Sequence, residues 1–166
     1  MTDFNALLEP LAEIAREAGD AILAVYERDD LGVETKDDKS PITEADMAAH
    51  KIIEARLQAL TPDIPVFSEE SGGIAYADRK DWPRFWLVDP LDGTKEFIKR
   101  NGEFTVNIAL VEGETPVLGV VHVPVTAVTY LGGQGVGAFK EHNGERQAIQ
   151  CRARTTPVVM VASRSH

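Results

Sequence analysis

Cysteine is nearly absent from this sequence: Cys151 is the only one among 166 residues. A single cysteine cannot form an internal disulfide, and it is typical of a reducing compartment. Apolar runs are also short, and none approaches the roughly 20 residues that a membrane-spanning helix needs. Asp3, Glu9 and Glu13 interrupt the stretch in which a secretory signal would lie. We therefore expect a cytoplasmic protein without a transmembrane segment, with peripheral contact at the inner membrane as an alternative.

Positive charge is scarce as well. The chain has 17 Lys and Arg residues against 27 Asp and Glu residues, which gives a formal net charge of -10. This balance argues against a nucleic-acid polymer as partner, because such binding depends on basic side chains that neutralise phosphates. It leaves open a small phosphorylated ligand, since a bound metal ion reverses the local sign of charge.

The hydrophobic pattern changes its period along the chain. It predicts helices over residues 4–27 and 44–60, the second capped by Thr43, and a loop or short ribbon over 28–42. The predicted strands are 64–67, 86–88, 104–111, 117–123 and 128–131, with a helical turn over 94–99 and a hairpin at Asn143-Gly144. Helices followed by strands predict an α+β fold, in which two helices pack on an antiparallel sheet.

The last residues of the chain have a different hydrophobic pattern from the strands before them. Val158 to Ala162 form a continuous apolar run, which is typical of a buried strand that needs neighbours and a covering helix. We therefore expect a strand of an α/β unit whose remaining elements are missing. On this interpretation the chain is the front part of a longer protein, and its unpaired strand and open face invite formation of a homo-oligomer.

Residues 86–97, WLVDPLDGTKEF, carry the strongest chemical signal. Asp89 and Asp92 lie at the end of an apolar run, where unpaired buried carboxylates are costly. Mg²⁺ binds carboxylate and carbonyl oxygens and shares them with substrate phosphates. Glu69, which follows an earlier predicted strand, and the Leu91 carbonyl would complete a two-metal phosphate site. Gly93 allows close approach of the backbone to an anion.

Each of these residues also has an ordinary structural interpretation. Asp92 could be a turn residue or helix cap, and Glu69 could belong to a solvated acidic turn. Asp46 fits a capping box with Thr43. The four histidines show no ligand spacing, and we assign them no role. The order of the acidic groups at strand ends, where one cleft can collect them, favours the metal site.

The motifs together resemble the lithium-sensitive, magnesium-dependent phosphatase superfamily that includes inositol monophosphatases. The matching segments are Thr43-Glu44-Ala45-Asp46, Ser68-Glu69-Glu70-Ser71 and Asp89-Pro90-Leu91-Asp92-Gly93-Thr94. Lys95-Glu96-Phe97 resembles the 3'(2'),5'-bisphosphate nucleotidase branch, as do residues 101–111 and 119–124. The resemblance implies the N-terminal part of a layered α/β sugar-phosphatase fold, whose members continue for roughly another hundred residues. It implies an N-terminal metal-binding domain over 1–155 and, over 156–166, the first strand of a missing C-terminal α/β domain.

The resemblance also implies a set of metal ligands. Glu69, Asp89 and the Leu91 carbonyl would hold one Mg²⁺, and Asp89 and Asp92 a second. Glu69 would also orient water around a third, looser ion.

Further roles follow from the same resemblance. Thr94 and Asp46 would position and deprotonate the attacking water, while the amides of Gly93 and Thr94, beside Leu91 and Asp92, would bind the phosphate. The implied reaction is hydrolysis of the 3'-phosphate of adenosine 3',5'-bisphosphate to AMP, with little or no activity in residues 1–166 alone. The alternatives are an inositol- or sugar-phosphate phosphatase of the same superfamily and a catalytically silent metal- or phosphate-binding module.

Overall fold

The computed structural model describes residues 3–35 and 41–160. Two long helices, α1 (Phe4–Tyr26) and α2 (Glu44–Leu60), agree closely with the predicted ones. A two-residue ribbon, β1 (Glu34–Thr35) and β2 (Pro41–Ile42), lies between them, and its connection falls outside the described residues. The remaining elements are β3 (Val66–Ser68), α3 (Tyr76–Arg79), β4 (Arg84–Asp92), α4 (Thr94–Ile98), β5 (Thr105–Glu112), β6 (Thr115–Val123), a 3₁₀ turn (Pro124–Thr126), β7 (Val128–Gly133), β8 (Gly137–His142) and β9 (Glu145–Ile149).

Strands β3 to β9 form one seven-stranded sheet in sequence order. Every neighbouring pair is antiparallel except β3 and β4, which run parallel and are joined by the long 70–83 connection. The predicted α+β architecture is therefore confirmed, with one parallel pair at the edge that the pattern did not predict. The predicted hairpin also forms, since Asn143 and Gly144 both adopt the positive φ angles that a two-residue turn needs.

The core lies between the two helices and one face of the sheet. Buried side chains of α1 and α2, such as Leu11 and Ile53, pack with Trp86 and Leu110 from the central strands. The Trp86 indole donates a hydrogen bond to the Thr61 hydroxyl at 2.9 Å, just after α2 ends. This contact fixes the end of α2 against β4, the strand that carries the predicted metal ligands.

The opposite face of the sheet is open and apolar. Leu87, Val121, Tyr130 and Ile149 each expose 39–44% of their surface there, along a cavity of about 800 Å³. Of the predicted strand over 158–162, residues 158–160 are exposed and in no strand, and Val161 and Ala162 lie outside the described residues. That strand and self-association through the open face stay predictions. No helix in the described part of the chain is long and apolar enough to cross a membrane.

Candidate active site

A bulge in β4 brings Asp89 and Asp92 to the same face of the sheet. Asp89 lies opposite Asn107, and Asp92 lies opposite Thr105. Pro90 and Leu91 on β4 therefore face a single residue of β5, the one between Thr105 and Asn107. In a regular strand, residues three apart point to opposite faces. The extra residue of the bulge turns Asp92 to the same face as Asp89. The sequence predicted that the strand ends at Asp89, whereas pairing continues to Asp92. The bulge, and not the D-x-x-D spacing alone, therefore places the two carboxylates on one surface.

Glu69 reaches the same region from β3. Ser68 pairs with Val88, and the Glu69 amide donates to the Val88 carbonyl at 3.0 Å, which continues the parallel ladder one residue past β3. Glu69 therefore lies beside Asp89 at the edge of the sheet. We refer to Glu69, Asp89 and Asp92 as the acidic cluster.

The pKa of Asp89 reflects its burial and the two neighbouring carboxylates of the acidic cluster. The pKa of Asp89 is raised to about 7, first by burial and then by the charges of Glu69 and Asp92. Its Oδ1 atom is buried and has no hydrogen-bond partner among the described residues. Burial and like charges disfavour the ionised form, and a nearby cation would reverse both effects.

Asp92 is held by a short chain of side-chain hydrogen bonds. The Asn107 amide donates to Asp92 Oδ2 at 3.0 Å, and the Thr105 hydroxyl donates to Asn107 Oδ1, also at 3.0 Å. Because a carboxylate only accepts, Asn107 must present its NH₂ group to Asp92. Sequence reasoning missed Asn107; its only signal was the Thr-x-Asn alternation on the strand after the D-x-x-D segment.

Asp46 is buried at the start of α2, where it accepts hydrogen bonds from Thr43 and Thr94. Its Oδ2 atom accepts from the Thr43 amide at 2.8 Å and from the Thr43 hydroxyl at 2.6 Å, which confirms the predicted capping box. Its Oδ1 atom accepts from the Thr94 hydroxyl at 3.3 Å. Thr94 Oγ1 also lies 3.3 Å from the Leu91 carbonyl oxygen. Asp46, Thr94 and Leu91 therefore form a connected group.

Gly93 joins β4 to α4 in a conformation that favours glycine. Its φ is 99°, and an added Cβ would lie 2.9 Å from the Glu103 carbonyl oxygen and 3.3 Å from the Phe104 Cα. A side chain here would strain the backbone and collide with the segment before β5. The glycine thus allows the chain to turn sharply from the acidic cluster into α4.

A histidine to which the sequence analysis gave no role also touches this region. His50 is buried on α2, and its Nδ1 atom lies 3.0 Å from the Ser68 hydroxyl, next to Glu69. Its only signal in the sequence was its position four residues after Asp46, on the same helix face.

The residues fit a divalent cation. In residues 3–35 and 41–160, no three His, Cys, Asp or Glu side chains already converge as metal ligands. The predicted set differs from such a cluster, because it includes the Leu91 carbonyl and because Asp92 turns toward Asn107. Like charges also keep carboxylates apart unless a cation lies between them. The buried, unpartnered Asp89 Oδ1 is the atom that a cation would satisfy.

Comparison of this chain with known proteins finds relatives of one family at the level of both sequence and structure. The model of the inositol monophosphatase family matches residues 4–166. The chain is 55% identical over 161 residues to the 3'(2'),5'-bisphosphate nucleotidase CysQ of Salmonella typhimurium, covering 96% of this chain and 64% of that protein. The chain thus spans less than two thirds of the length of this curated relative.

Two solved structures are similar to most of this chain. CysQ from Bacteroides thetaiotaomicron matches with a TM-score of 0.73 and 41% identity, over 95% of this chain and 62% of that one. The extragenic suppressor protein suhB from Bartonella henselae matches with a TM-score of 0.74 and 31% identity, over 90% of this chain and 56% of that one.

Proposed function

The chain belongs to the inositol monophosphatase family, and from this we propose that it forms the metal- and water-handling part of a 3'(2'),5'-bisphosphate nucleotidase. The proposed reaction removes the 3'-phosphate of adenosine 3',5'-bisphosphate to give AMP. The family is generally magnesium-dependent. Support for this substrate class comes from the CysQ proteins of Salmonella typhimurium and Escherichia coli, which are 55% and 52% identical to this chain.

The observation that carries the proposal is the state of Asp89. Its pKa lies near 7 because burial and two carboxylates act on it, and its buried Oδ1 atom has no protein partner among the described residues. Glu69, Asp89 and the Leu91 carbonyl would hold one Mg²⁺, Asp89 and Asp92 a second, and Glu69 the water around a third. Bound there, Mg²⁺ would supply positive charge to the phosphate and to the leaving oxygen.

The remaining chemistry falls to Thr94 and Asp46. Both Thr43 donors occupy Asp46 Oδ2, so only Oδ1 faces Thr94. A water that donates to Thr94 Oγ1 would pass its proton through the hydroxyl to Asp46 Oδ1, which makes Asp46 the general base. The Gly93 and Thr94 amides would hold the phosphate beside this water.

The test uses a chimera that appends the unmatched part of the Salmonella relative to this chain. We expect the chimera to hydrolyse adenosine 3',5'-bisphosphate much faster than inositol 1-phosphate, and the Asp89→Asn chimera to lose most of that activity. Residues 1–166 alone should show little or none. Preference for inositol phosphate would favour the other phosphatase, and Mg²⁺ binding without turnover of either compound would favour a silent binding module.

A further inference from the structure

We propose that His50 is a positioning residue, which orders the Glu69-bearing turn by binding the Ser68 hydroxyl. Its benefit to metal binding rests on the proposed function, because it requires Glu69 to be a ligand. The ordering of the turn does not depend on metal and can be tested separately.

One face of α2 links two segments that carry site residues. Asp46 and His50 are one helical turn apart and both are buried. Asp46 binds Thr94, which follows β4. His50 binds Ser68, the last residue of β3. The helix therefore sets the distance between the segment after β3 and the segment after β4.

Ser68 is the centre of the turn that carries Glu69. Its hydroxyl accepts from the Glu70 amide at 3.3 Å, and its own amide donates to the Ser71 hydroxyl at 3.2 Å. The Ser71 amide in turn donates to the Ser68 carbonyl at 3.1 Å. The Ser68 hydroxyl thus fixes the Glu70 amide, directly after Glu69, and the hydrogen bond with His50 holds that hydroxyl in its rotamer.

We infer the direction of the hydrogen bond from the charge on the other side of the ring. His50 Nε2 lies 3.8 Å from Glu54 Oε2, and a nearby carboxylate favours the proton on Nε2. Nδ1 then accepts, and the Ser68 hydroxyl donates to it while accepting from Glu70. Each polar atom of the pair has a compatible role.

A second buried histidine in the chain provides a matched control. His122 Nδ1 lies 2.9 Å from the Thr129 hydroxyl, and this pair joins neighbouring strands β6 and β7. Its ring packs against Gly19 of α1. Substitution of His122 therefore removes a similar buried hydrogen bond without touching the acidic cluster or its turn.

The experiment replaces each of the two buried histidines, His50 and His122, by asparagine and by glutamine in this chain. Asparagine places its carbonyl oxygen near the position of Nδ1 and can still accept from Ser68, whereas glutamine places its amide near the position of Nε2. We expect His50→Gln and Ser68→Ala to speed amide hydrogen exchange at Glu69 and Glu70 at least tenfold, and His50→Asn to stay within threefold of wild type. Neither His122→Asn nor His122→Gln should change exchange at these two amides.

The same variants are then titrated with Mg²⁺. We expect His50→Gln and Ser68→Ala to weaken affinity about 10- to 100-fold, the usual cost of losing a group that orients a ligand, and His50→Asn to restore most of it. Equal exchange and equal affinity in His50→Asn and His50→Gln would overturn the inference. If wild type binds no Mg²⁺, the proposed function fails, and the exchange data still decide whether His50 orders the turn.

Discussion

The two edges of the fold handle negative charge in opposite ways. At the far edge, Glu9, Arg16, Glu141 and Arg146 form a closed ion ring between α1 and the β8–β9 hairpin. Arg16 lies 2.7 Å from Glu9 and 2.9 Å from Glu141, and Arg146 contacts the same two carboxylates. At the other edge the charges of Glu69 and Asp92 act on Asp89, and among the described residues the groups that act on the pKa of Asp89 include no cation.

The pKa values make the contrast explicit. The hydrogen bond from Arg16 is the largest effect on Glu9, whose pKa is lowered, while burial and two neighbouring acids raise the pKa of Asp89 to about 7. The protein supplies its own cations where the carboxylates are structural. Around Asp89 the described residues provide no such cation, and we therefore propose that an external cation is the partner of the acidic cluster.

The largest difference between the two edges should appear in catalysis. In the chimera, we expect Asp46→Asn and Thr94→Val to lower kcat by about 10²- to 10⁴-fold, the usual contribution of general acid–base catalysis. KM should change little, because these groups act on the water in the transition state. Steady-state kinetics measure this, with Arg146→Gln from the ion ring as a control that keeps kcat. A rise in KM alone would contradict the assigned roles.

A smaller effect concerns stability against pH. In EDTA, the raised pKa means that the folded state holds a proton on Asp89 between about pH 3.8 and 7 that the unfolded state has lost. Stability therefore falls as pH rises through this window, and Asp89→Asn should remove that part of the fall. We expect the variant to gain roughly 1–3 kcal/mol over wild type at pH 8, after allowance for solvent screening, and nothing at pH 3. Thermal melts of wild type and Asp89→Asn at a series of pH values measure this gain in stability. An Asp89→Asn variant less stable than wild type at pH 8 would contradict the repulsion of Asp89 by Glu69 and Asp92.

The smallest effect is expected at the ion ring. Arg146→Gln should cost about 0.5–1 kcal/mol of unfolding free energy, because partly exposed ion pairs contribute little, and the loss should shrink in high salt. Urea denaturation at two salt concentrations measures both. The variant should respond to Mg²⁺ like wild type. If it altered the Mg²⁺ response, the two edges would be coupled and the contrast between them would not hold.

Local rules predicted much of this fold and part of the site. The periodicity gave the helices, and the Thr43–Asp46 spacing gave the capping box that also aims Asp46 at Thr94. The β4 bulge could not be predicted, because it depends on the register with β5, which only tertiary pairing sets. The role of His50 was missed for a similar reason, since its partner Ser68 is 18 residues away on a strand whose position relative to α2 comes from packing.

The central claim is that the acidic cluster binds a divalent cation through Asp89. Calorimetric titration of the chain with Mg²⁺ tests it most directly, with Asp89→Asn and Arg146→Gln alongside. We predict saturable binding by wild type and by Arg146→Gln, and a loss of that binding in Asp89→Asn. Identical titration curves for wild type and Asp89→Asn would contradict the claim.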